Sequence, residues 1–61
     1  MIVVIVTVQM EQGVTAQVHV PMDMQISGFP PTKEEMEMIN EDVEKLTGYT
    51  VISIDSLSWA P

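Results

Sequence analysis

The chain has 61 residues, nine Asp and Glu against only Lys33 and Lys45, no Arg, no Cys, and a formal net charge of −7. Domains of this size bury only about 60% of their unfolded surface, so cores are marginal and small chains often add a disulfide, a metal or a second copy. The absence of Cys removes the disulfide route and most structural zinc schemes, and a single His, His19, leaves no multi-His metal site within one chain. So acidic a surface cannot neutralise phosphates or adhere to an anionic bilayer, which argues against direct nucleic-acid binding and against membrane binding. At 46% hydrophobic the sequence is too apolar for an acidic disordered tail.

Met1 to Met10 reads as the first strand. Ile2 to Val6 is wholly apolar and mostly β-branched, which suits a strand buried on both faces. The segment has no basic leader, turns polar at Thr7 and Gln9, and is far shorter than the roughly 20 residues of a membrane span. A cytoplasmic protein is the expectation.

Glu11-Gln12-Gly13 reads as a three-residue turn, and Val14 to Val20 alternates with period two. The resulting hairpin pairs Met10 with Val14, Val8 with Ala16, Val6 with Val18 and Val4 with Val20. The even-numbered residues then form the core face. The even stripe continues past Pro21 through Met22, Met24 and Ile26, an arm expected to be ordered and to pack on the helix or on another subunit.

Thr32-Lys33-Glu34-Glu35 is a capping box after two prolines, and Gly48 is placed to close the helix in a left-handed conformation. Met36, Ile39, Val43 and Leu46 form the predicted buried stripe. Tyr49 to Trp59 reads as the last strand. With unbroken alternation Ile52 and Ile54 face the helix, while Val51, Asp55, Leu57 and Trp59 face the other way.

These elements predict one α+β domain over residues 1–61. Its order is β-β-α-β, with a mainly antiparallel three-stranded sheet in order 2-1-3 and one helix on one face. The plan is similar to the opening of β-grasp proteins and to several unrelated small α+β modules, a likeness of fold that implies no activity. One helix covers one face only, so Val3, Ile5, His19, Val51, Leu57 and Trp59 are the expected self-association surface of a homodimer or higher oligomer.

No catalytic residues, cofactor site or metal site are expected. A lone His, with neither Cys nor Arg, assembles no nucleophile–base pair or phosphate clamp. The six Met residues suit gap filling better than soft-metal binding. Glu34, Glu37, Glu41 and Glu44 share the helix face opposite the apolar stripe, and Glu37 faces Glu41 as a like-charge pair four residues on. Such a face suits a basic protein surface, as a nucleic-acid mimic would.

The expected function is therefore a non-enzymatic protein-binding module. Small acidic chains of this kind look like the accessory proteins with which phages and mobile elements block host nucleic-acid-handling or defence proteins. The alternatives are a self-associating assembly subunit and a small-ligand module with a pocket between subunits.

Overall fold

The computed structural model describes residues 1–59. β1 (Ile2–Glu11), β2 (Val14–Met22), α1 (Lys33–Thr47) and β3 (Thr50–Trp59) follow in that order. The sheet is antiparallel with order β2-β1-β3, so the most apolar strand is central, as its composition demands.

The hairpin register puts Val4 opposite Val20, Val6 opposite Val18 and Val8 opposite Ala16. A bulge at Met10 changes the pairing near the turn. Glu11, rather than Met10, stands opposite Val14, and the connection shrinks to Gln12-Gly13. Gly13 takes a positive φ of 78°, a conformation in which a Cβ is strained. Met10 and Val14 are both exposed. The expected even-face stripe thus ends at Val8, the last buried residue of β1 before the bulge.

The core consists of Ile2, Val4, Val6 and Val8 from β1, Val20 and Met22 from β2, Ile26 from the following segment, and Ile39 and Val43 from α1. α1 begins at the expected capping box. Thr32 Oγ1 accepts from the Glu35 N–H at 3.2 Å, and Glu35 Oε1 accepts from the Thr32 N–H at 2.8 Å. Gly48 closes the helix at φ 76°, its N–H donating to the Glu44 carbonyl. The buried stripe differs from the expected one. Ile39 and Val43 are buried, but Leu46 is 69% exposed and Met36 sits at the rim. The inward positions instead recur every four residues through Glu35, Ile39, Val43 and Thr47. Leu46 falls on the flank, beside Pro21 and Met22.

β3 departs most from simple alternation. Val51 pairs with Val8, Ile54 with Val6, Leu57 with Val4 and Trp59 with Ile2. Two bulges make this possible, with Ile52 and Asp55 as the extra residues. Each shifts the parity of the strand by one. Val51, Ile54 and Leu57 consequently all pack against the core, while Ile52 is 53% exposed.

Candidate functional site

The uncovered sheet face is built from β1 residues Val3, Ile5 and Thr7. They stand opposite Pro21, His19 and Gln17 on one side, and Ser58, Ser56 and Ser53 on the other. The expected self-association patch therefore does not assemble. Val3, Ile5 and His19 share this face, but Val51, Leu57 and Trp59 are turned to the helix side by the two bulges. Trp59 instead donates its indole N–H to the Ile26 carbonyl at 3.4 Å, tying the end of β3 to the segment after β2. Met22 at the end of β2 and Ile26 in that segment are buried and Met24 packs against the core, so all three lie within this molecule's own packing.

Asp55 occupies the middle of the open face. Its Oδ2 accepts from Thr7 Oγ1 at 2.6 Å and from Gln17 Nε2 at 3.1 Å, and its Oδ1 accepts from Ser53 Oγ at 2.7 Å. One carboxylate thus binds side chains from all three strands. The donors, Thr7 foremost, then Gln17 and Ser53, hold its pKa below the ordinary aspartate range. Such a group stays ionised and satisfied, so it has no proton to give at neutral pH. The sequence places Asp55 on this face but does not reveal the network, which depends on the bulged register.

The acids of α1 divide into two sets. Glu35 is committed to the cap, and Glu44 Oε2 accepts from the Val51 N–H at 3.4 Å, joining the helix to β3. Glu34, Glu37 and Glu41 are exposed, and Glu41 lies 3.6 Å from Lys45, the one ion pair among the described residues. Of the four acids assigned to partner binding, Glu44 therefore also has a structural role inside the chain.

Among the described residues, recesses flank the helix. The one between α1 and β3 is lined by Phe29, Pro30, Pro31, Met36, Asn40 and the stretch Val51–Ile54. Asn40 Oδ1 is shut off from solvent there and has no hydrogen-bond partner. Among the described residues no group of three His, Asp or Glu stands close enough to hold a metal, and no helix is long and apolar enough to cross a membrane. Comparison with protein-family models, curated protein sequences and solved structures finds no match to this chain.

Proposed function

We propose that this is a non-enzymatic, cytoplasmic protein-binding module. Its acidic helix engages a basic surface of a nucleic-acid-handling or defence protein, in the manner of a small phage or mobile-element inhibitor. The observation that carries this reading is the uncompensated charge of α1. Glu34, Glu37 and Glu41 project to solvent on one face, where Glu41–Lys45 is the one ion pair among the described residues and Lys33, a turn from Glu37, forms none. Like charges at this spacing destabilise a helix slightly, so a chain that keeps them gains something from them elsewhere. The polar open face supports the same reading over self-assembly, since of the residues assigned to self-association only Val3, Ile5 and His19 remain on it.

The test is capture of partners from an extract of the source cell by wild type and by a Glu34→Lys, Glu37→Lys, Glu41→Lys variant. Glu44 is left in place because it anchors β3. The wild type should hold a basic protein that salt releases, and the folded variant should not. Equal capture of the same protein by the variant would overturn the acidic-face reading.

A further inference from the structure

The recess between α1 and β3 has features that its role in the fold does not explain. Phe29, Met36 and Ile52 border it and are all substantially exposed, Ile52 because the bulge leaves it out of the core register. Asn40 Oδ1 is unpartnered beside it, an arrangement that costs stability when the group is buried. The recess also lies along a sheet edge. β3 is an outer strand, and the Glu44 carboxylate already takes the N–H of Val51.

We infer that this groove receives a short extended segment of the partner protein, with an apolar side chain followed by Lys or Arg; the inference rests on the protein-binding reading above. The apolar side chain enters between Phe29, Met36 and Ile52. Rotation of the Asn40 carboxamide presents its oxygen to a donor on the segment.

The cation is argued from charge. Lys33, Glu37, Asn40 and Glu44 recur at three- and four-residue spacing and so share the flank of α1 that borders the groove, where acid exceeds base. A second copy of the chain is a poor occupant, because it brings another −7 charge and no Arg. A free small molecule fits less well than a side chain. The groove encloses about 210 Å³, below the roughly 300–1,000 Å³ typical of ligand pockets. The bulges at Ile52 and Asp55 interrupt the regular edge, so the contact is short and does not extend into an added strand.

The probe is a capped tetrapeptide, Ala-Leu-Arg-Ala, titrated to millimolar concentration into ¹⁵N-labelled protein, with Ala-Leu-Glu-Ala as control. Resonances of Met36, the Asn40 side chain and Ile52 should shift with the Arg peptide and hardly move with the Glu peptide. Ile52→Ser should weaken the interaction about tenfold. Asn40→Leu should also weaken it while raising the unfolding temperature, a pairing that a purely structural Asn40 would not produce. Absence of shifts, shifts confined to Glu34 and Glu41, or an unaffected Ile52→Ser would each overturn the groove. If Ile52→Ser still captures the salt-sensitive partner of the wild type, the groove fails and the acidic-face reading stands. If a Glu34→Lys, Glu41→Lys variant, which leaves the groove-side Glu37 in place, captures that partner unchanged while the peptide still binds, the acidic face fails instead.

Discussion

The two faces of this small sheet are finished in different ways. On the helix side β1 contributes Ile2, Val4, Val6 and Val8, all essentially inaccessible, and closure is aliphatic packing under Ile39 and Val43. On the other side β1 contributes Val3, Ile5 and Thr7, and the central feature is an ionised Asp55 held by three side-chain donors. Within one chain, the apolar run of the central strand is thus covered on one face only. Polar side chains from the flanking strands border Val3 and Ile5, leaving them half-buried without a second layer.

Mutations on the two faces should differ in size. Ile39→Ala removes a fully buried side chain from the covered face and should cost about 2–5 kcal/mol in a denaturant titration. A loss under about 1 kcal/mol would mean that the covered face is loosely packed and the contrast false. Gly48→Ala, at the left-handed helix end over the same face, should cost about 1 kcal/mol by the same measurement.

The open face should show itself through pH. The pKa of Asp55 is lower folded than unfolded. Its contribution is therefore fully present above the ordinary value of 3.8 and is lost as the pH falls through the lower folded value. Asp55→Asn should flatten the acid limb of stability against pH, with a smaller effect at neutrality than Ile39→Ala. An unchanged acid limb would show that the network contributes nothing. Smallest of all, Leu46→Lys should move stability by no more than about 0.5 kcal/mol, since the side chain lies mostly in solvent.

Much of this architecture is legible in the sequence. The strand order, the hairpin pairing from Val4 to Val8 and both helix caps follow from period-two alternation, a capping box and one glycine. The last strand is not legible by the same rule. Val51, Ile54 and Leu57 are spaced by three, and unbroken alternation cannot bring all of them to one side. The spacing itself hints at bulges, but only pairing with β1 decides that Ile52 and Asp55 are the extra residues. The helix offers a similar lesson. Leu46 fits an ideal apolar stripe, yet the position of α1 nearest β3 leaves that flank uncovered. The candidate site divides in the same way. The exposed acids Glu34, Glu37 and Glu41 are visible from helical periodicity, whereas Asn40 and its groove come into view only once α1 and β3 are packed.

The central placement of β1 also bears on solubility. Ile2-Val3-Val4-Ile5-Val6 has the β propensity, neutrality and freedom from Pro that mark segments prone to stack into fibrils. In the folded chain it has a neighbour on each side, and neither exposed edge is as flat or as hydrophobic: β3 is bent by its bulges and β2 carries Pro21 near its end. The hazard is thus hidden while the sheet is intact and released whenever the hairpin or β3 detaches. Variants that weaken the core should consequently be lost to precipitation before they accumulate as soluble unfolded chains, with the −7 charge as the main remaining brake.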